Sequence, residues 1–259
     1  MKMNLYGDYH THTRYSDGTG RVRDNVEAAR AIGLHDIGIS DHGYNNPHRF
    51  AMSVAKRIKQ QAEIAELRKE FSDIKILSSV ETDIISLDGT LDIEMEEIEK
   101  YDYIIAGFHR WSKAKSRSDY KKFYWSAYMT TFRNSRDYEV VRNTEAYIKM
   151  LNAYPIGILA HINNATMVDC MAVAEACSET KTLLELNVKH IVKNLGNGNF
   201  EKVLSTGVKF IASSDAHIPN RIGKLEVVED FIEPYHLNAN RLVNIGDKTP
   251  DFRTYLNWK

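Results

Sequence analysis

Asp8-Tyr9-His10-Thr11-His12, followed by the turn Asp17-Gly18, is the stretch on which the reading of this chain depends. Alternate side chains of a β-strand share a face, so His10 and His12 point at one centre if Asn4 to Tyr9 is a strand that ends there. Ser213-Ser214-Asp215-Ala216-His217 repeats the arrangement after the apolar run Val208 to Ala212. Two strand ends, each delivering two metal-competent side chains, suggest a metal site at one end of a β/α sheet or barrel. Taken alone, either pair reads equally well as surface histidines beside a turn aspartate.

The rest of the chain supplies more groups of the same kind. Ile37-Gly38-Ile39-Ser40 runs into Asp41-His42, Ile74 to Val80 into Glu81, Tyr103 to Phe108 into His109, and Ile156 to Ala160 into His161. Leu183 to Asn187 carries Glu185 and Asn187 on one face. Helices are expected between these strands: Val22 to Ile32, closed by Gly33; Ala51 to Phe71, with a stripe of Val54, Ile58, Ala62, Ala65 and Leu67; Val140 to Leu151; and Val168 to Cys177. Strands alternating with helices are parallel and present their carboxyl ends on one side, so six of the ten histidines converge there.

Imidazoles and carboxylates together suit borderline divalent cations such as Zn, Mn, Fe or Co rather than Ca. The donors exceed what one ion can use, and Glu81, with two oxygens to share, is a plausible bridge. Metals roughly 3.5–4 Å apart can share a hydroxide and clamp an in-line displacement at phosphorus, which makes phosphoester hydrolysis the expected chemistry. Glu81, Asp215 and His217 are the expected catalytic residues.

At 259 residues and 43% apolar composition the chain is long enough for one sizeable core, and a single domain over 1–259 is expected. A net charge of -1 carries no global signature of a polyanion partner. No segment has the length of a signal-peptide core or a membrane span, so the expected compartment is cytoplasmic. Cys170 and Cys177, roughly 10 Å apart along a helix, are too distant to bridge and read as free thiols, in keeping with a reducing environment.

The motifs Asp8 to Thr13 with Tyr15-Ser16-Asp17-Gly18, Ile39 to Gly43, Glu81, Gly107-Phe108-His109, Leu159-Ala160-His161, Glu185-Leu186-Asn187 and Ser213 to His217, in this order, resemble the polymerase and histidinol phosphatase (PHP) family. The resemblance implies an α/β fold, a distorted (β/α)7 TIM-like barrel, with a trinuclear metal site at the C-terminal ends of the strands. It places His10, His12, Glu81 and Asp215 on the first metal, Glu81, His109 and His161 on the second, and Asp17, His42 and His217 on the third. It also implies a stand-alone phosphatase acting on a small phosphorylated substrate through up to three ions of Zn, Mn or Fe. Histidinol phosphate is the alternative substrate within that class.

Residues 110–136 carry eight cations against the single acid Asp119, interleaved with aromatic residues, and read as an insertion with a helix near Asp119 to Phe132. It is either a lid over the barrel mouth or an amphipathic helix with a solvated basic face. Single-stranded nucleic acid is a weaker possibility for it. Candidate substrate contacts are Arg14, Arg221, His48 and Asn187, with arginine suited to phosphate by its planar fork. Asp8 and Asp41 are candidate acceptors for ligand imidazoles, as are Glu185 and Asn187. His35, His190 and His236 read as surface or core-edge residues. Two other classes compete: a non-catalytic metal-stabilised binding module, and a metal-dependent amidohydrolase, against which counts the absence of a strand-end lysine.

Overall fold

The structure, a computed structural model, describes residues 4–46, 50–130, 132 and 134–258. Its centre is a parallel sheet of seven strands in chain order: β1 (Gly7–Asp8), β2 (Asp36–His42), β3 (Lys75–Asp83), β4 (Ile105–Gly107), β5 (Ile158–Leu159), β6 (Leu183–Asn187) and β7 (Phe210–Ser213). The sheet curls into a nearly closed barrel. Past β1 and β7 the chain meets itself in a parallel bridge between Thr11 and Ala216, where the His12 N–H donates to the Ala216 carbonyl at 2.8 Å. Lower down, the seam is filled by a side chain. The Asn244 amide donates to Gly7 O at 3.0 Å and Ala212 O at 2.8 Å while its oxygen accepts from Ala212 N, standing in for a missing backbone ladder.

Alternation along the strands sorts the side chains into layers. Leu77, Ile105, Ile158, Leu183 and Ile211 form a small cluster with Tyr9, Tyr103 and Phe252, whose ring stacks on Tyr103 at 4.1 Å. Two residues on from Leu183 comes Glu185, four on from Leu77 comes Glu81, and four on from Ile105 comes His109. The barrel interior is therefore apolar at one end and metal-competent at the other. The opposite faces of the strands, including Ile37, Ile39, Val80, Ala106 and Leu184, belong to the two larger cores beneath the helices.

Helix α1 (Val22–Ala31) buries Val22, Val26 and Ala29 and stops at Gly33, whose φ of +80° is the left-handed conformation expected of a terminating glycine. In α2 (Val54–Glu70), capped by Ser53, the expected stripe holds only at Leu67. Val54 and Ile58 are half exposed, and the buried positions are Gln60, Ile64 and Leu67. They follow helical spacing as well as the expected set does, and Gln60 is accepted inward because its amide donates to Asp41 at 2.6 Å. After the short α3 (Met95–Ile98), α4 (Arg117–Asp119) continues through a π turn (Tyr120–Tyr124) into α5 (Trp125–Met129), close to the helix expected there. The remaining helices are α6 (Asp137–Ala153), α7 (Cys170–Thr180), α8 (Ile191–Leu195), α9 (Asn199–Leu204), α10 (Glu226–Ile232) and α11 (Tyr255–Trp258). Cys170 and Cys177 are buried free thiols on α7. Among the described residues no helix is long and apolar enough to cross a membrane.

Candidate metal centre

Glu81, on the inward face of β3 and almost completely buried, is the hub of the site. Its Oε1 lies 2.7 Å from His161 Nε2 and 3.6 Å from His109 Nε2. Its Oε2 lies 3.0 Å from His42 Nδ1, 3.4 Å from His10 Nε2 and 3.5 Å from His12 Nε2. The two oxygens thus face different sets of imidazoles, as a bridging carboxylate must. Asp215 Oδ1 comes within 3.3 Å of His12 Nε2. Asp17 turns inward, with Oδ2 at 3.1 Å from His217 Nε2 and 3.3 Å from His42 Nε2.

Three overlapping groups can each hold an ion: His10, His12 and Glu81; His42, Glu81 and His109; and His12, Asp17, His42 and His217. All nine residues expected as ligands from the sequence are drawn to this one end of the barrel. The donor set also passes a test of fit. Buried ring nitrogens of His10, His12, His42 and His161 have no hydrogen-bond partner, an arrangement that costs free energy until a cation or proton satisfies it.

The electrostatics agree. Burial opposes ionisation of Glu81, yet His109, His10 and His42 hold its carboxyl well below the usual range. Asp215 is likewise held ionised against its burial, by His10, His12 and Lys189. Burial and the neighbouring His217 push His12 down to about 3, so that ring is neutral with one nitrogen lone pair to offer. Backbone strain is found here too. His161 and Asp215 adopt φ of +26° and +50°, the left-handed region that residues with a Cβ rarely enter.

A layer of carboxylates orients the rings. Glu185 Oε1 sits 2.6 Å from His10 Nδ1, and its Oε2 accepts from the His161 N–H at 3.0 Å. Asp83, which the sequence reading missed, sits 2.7 Å from His109 Nδ1 and also accepts from His109 N and the Ser112 hydroxyl. It follows Glu81 by two positions on β3, so the same alternation that found Glu81 points to it. Asp8 and Asp41 do not accept from imidazoles. Asp41 faces away from His42 and accepts from Thr13 N at 2.8 Å, Ser16 N at 3.0 Å and Gln60, clamping the loop that carries Asp17. Gly18 closes that loop where a Cβ would come within 2.5 Å of the His12 backbone. Asp8 accepts from Ser214 N and Gly223 N, tying β1 to the segment after β7.

The site opens into a cavity of about 400 Å³ whose wall includes Asn46, Phe50, Trp111, Asn164, Lys189 and His190. Lys189 is the one lysine or arginine among its described lining residues, with Nζ 3.1 Å from Asp215 Oδ1 and 2.8 Å from His217 Nδ1. His190, expected as a surface or core-edge residue, is half-buried in the cavity wall; its ring meets His161 edge-on at 5.6 Å, and burial with His161 pushes it down to about 4. The expected substrate contacts fare differently. Arg14 is exposed, its Nε donating to Thr19 O at 3.1 Å, and neither it nor Arg221 lines the cavity. Asn187 is buried and donates to Glu185 and Asp215, steadying the carboxylates. His48 lies outside the described residues. Of the basic insertion, Trp111 stands at the cavity rim, 71% exposed, Phe123 and Tyr124 are core, and Lys113, Lys121 and Lys122 face solvent. The segment is thus part rim and part solvated helix.

The PHP domain family model matches residues 8–196. Among relatives, the DNA polymerase/3'-5' exonuclease PolX of Bacillus subtilis is 29% identical over 228 residues, covering 88% of this chain and 36% of that protein. The chain therefore spans about a third of that relative's length. A probable phosphatase of Clostridium acetobutylicum is 25% identical over 249 residues, covering 93% of this chain and 91% of that one. One of Caldanaerobacter subterraneus is 27% identical over 259 residues, covering 94% and 90%. In fold, the chain resembles histidinol phosphate phosphatase of Lactococcus lactis, solved with zinc, L-histidinol and phosphate, at a TM-score of 0.58 and 17% identity over 90% of this chain and 95% of that one.

Proposed function

We propose that this chain, which belongs to the PHP domain family and is a hydrolase of phosphoric esters, cleaves a small phosphomonoester or small phosphodiester with up to three divalent transition metals, Zn, Mn or Fe. The observation that carries this reading is the division of Glu81 between two sets of imidazoles, with the ring nitrogens of His10, His12 and His42 that face its Oε2 left without a hydrogen-bond partner. His10, His12, Asp215 and one Glu81 oxygen would hold the first ion, His109, His161 and the other oxygen the second, and Asp17, His42 and His217 the third. Ions so held supply Lewis acidity toward phosphoryl oxygens and lower the pKa of bound water.

The chain's own residues do the rest. Glu185 and Asp83 fix which nitrogen of His10 and His109 faces the centre. Lys189, beside Asp215 and His217, is placed to meet the phosphoryl oxygens and takes over the part expected of Arg14 and Arg221. Trp111 and Phe50 at the rim offer apolar surface to the alcohol portion of the ester. The cavity suits a metabolite rather than a polymer, and the two buried free thiols fit a cytoplasmic setting.

The test is to strip the protein with a chelator, then assay p-nitrophenyl phosphate and a panel of phosphomonoesters, histidinol phosphate included, after adding back Mn or Zn. Activity should vanish on stripping and return with metal. Full activity in the stripped protein, or none in a reconstituted protein that has taken up metal, overturns the reading.

A further inference from the structure

The loops after β4 and β5 each line two cavities. His109 and Trp111 face the metal centre, while Arg110 between them lines a neighbouring cavity of about 600 Å³. Asn164, in a turn closed by its N–H on the His161 carbonyl at 3.1 Å, lines both. The two cavities therefore adjoin at Asn164.

The wall of that second cavity has a definite chemistry. Arg110 and Lys193 supply two positive charges, Asn134, Ser135 and Thr130 supply neutral polar groups, and no aspartate or glutamate stands among its described lining residues. Lys193 is exposed on α8 and makes no ion pair among the described residues. A concave wall that carries two cations and no carboxylate among its described lining residues attracts the opposite charge. The floor is fixed rather than loose: Asn163, at φ +62°, accepts from Val168 N at 2.8 Å and donates to Cys170 Sγ at 2.8 Å.

We propose that this cavity is a subsite for a second anionic group of the substrate, a phosphate or a carboxylate, held by Arg110 and Lys193 while the scissile ester lies at the metal centre. The proposal rests on the phosphoesterase reading and narrows its substrate class to esters with two anionic ends. Arginine and lysine contacts of this kind, partly open to water, raise affinity by about tenfold.

Binding, measured by calorimetry on the metal-loaded protein, tests it without needing turnover. The probes are alkylphosphonates, alkane-α,ω-bisphosphonates and ω-carboxyalkylphosphonates of three to eight carbons. At one or two chain lengths a doubly anionic probe should bind about tenfold tighter than the alkylphosphonate, well beyond the about twofold that two equivalent ends give by statistics. Whether the bisphosphonate or the carboxylate series shows the gain identifies the anion. Lys193→Gln should remove the gain, and Lys202→Gln, an exposed lysine on the neighbouring α9, should keep it. Equal affinity at every length, or equal loss in both variants, overturns the subsite while leaving the phosphoesterase reading standing if alkylphosphonates bind and phosphomonoesters are cleaved. If no phosphonate binds and no ester is cleaved, both fail together.

Discussion

Replacing Glu81 with Gln isolates the hub of the site. The substitution preserves volume in a fully buried strand position, but one of the two oxygens becomes an amide nitrogen with no lone pair for a cation. Because Oε1 serves His161 and His109 while Oε2 serves His42, His10 and His12, either orientation of the amide deprives one set of its carboxylate. Removing one partner from a buried charged constellation costs about 3–5 kcal/mol. At 1.36 kcal/mol per factor of ten, metal affinity should fall by about two to four powers of ten. Turnover should fall at least as far, since the charge that positions the metals is also lost to the reaction. Competition with a chromophoric chelator gives the dissociation constant, metal content after desalting gives the stoichiometry, and a circular-dichroism melt confirms that the barrel is intact. A folded Glu81→Gln protein with wild-type metal content and turnover would refute the bridging role.

Asp83→Asn should weaken metal binding about 10–100-fold by releasing His109 from its fixed tautomer, with Ser112→Ala having a smaller effect; unchanged affinity in the chelator assay counts against the orienting role. Lys189→Met should raise KM and the inhibition constant of inorganic phosphate by about tenfold, with kcat less affected, whereas Arg14→Ala and Arg221→Ala leave both near wild type. Burial pushes the Cys170 thiol up to about 11, so a disulfide-exchange reagent at pH 8 should label neither cysteine in the native protein and both after unfolding. Asp92, buried beside Asp83, is pushed up to about 6, so the folded state binds its proton more tightly than the unfolded state does. Its contribution to stability is present below about pH 4 and lost as pH rises through 6, and urea unfolding should show Asp92→Asn gaining on wild type across that window.

The period-2 and period-3.6 patterns carried most of the architecture because a parallel β/α chain repeats one local rule. Each apolar strand ends in a polar residue, and the strands must end on the same side, so counting termini located the candidate ligands without any knowledge of how the barrel closes. Asp17 was assigned by resemblance rather than by strand position, and it does face His42 and His217. The errors share a cause. The stripe on α2 and the imidazole-acceptor role given to Asp8 and Asp41 were both judgements about which neighbour a side chain would meet, and neighbours distant in sequence are invisible to local periodicity. Asp41 was recoverable, since it alternates with His42 and must point the other way.

What the sequence determined by itself is the set of candidate donors at the strand ends and the end of the barrel at which they gather, because those follow from backbone periodicity and chain order. The tertiary structure decided what lies between and behind them. The C-terminal tail supplies Asn244 to the seam between β1 and β7 and Phe252 to the closed end of the barrel. Likewise Lys189, rather than Arg14 or Arg221, stands among the described residues lining the cavity, and Arg110 with Lys193 faces a second space beside it. Each depends on where loops and tail come to rest against the strands, which long-range packing sets and local spacing does not.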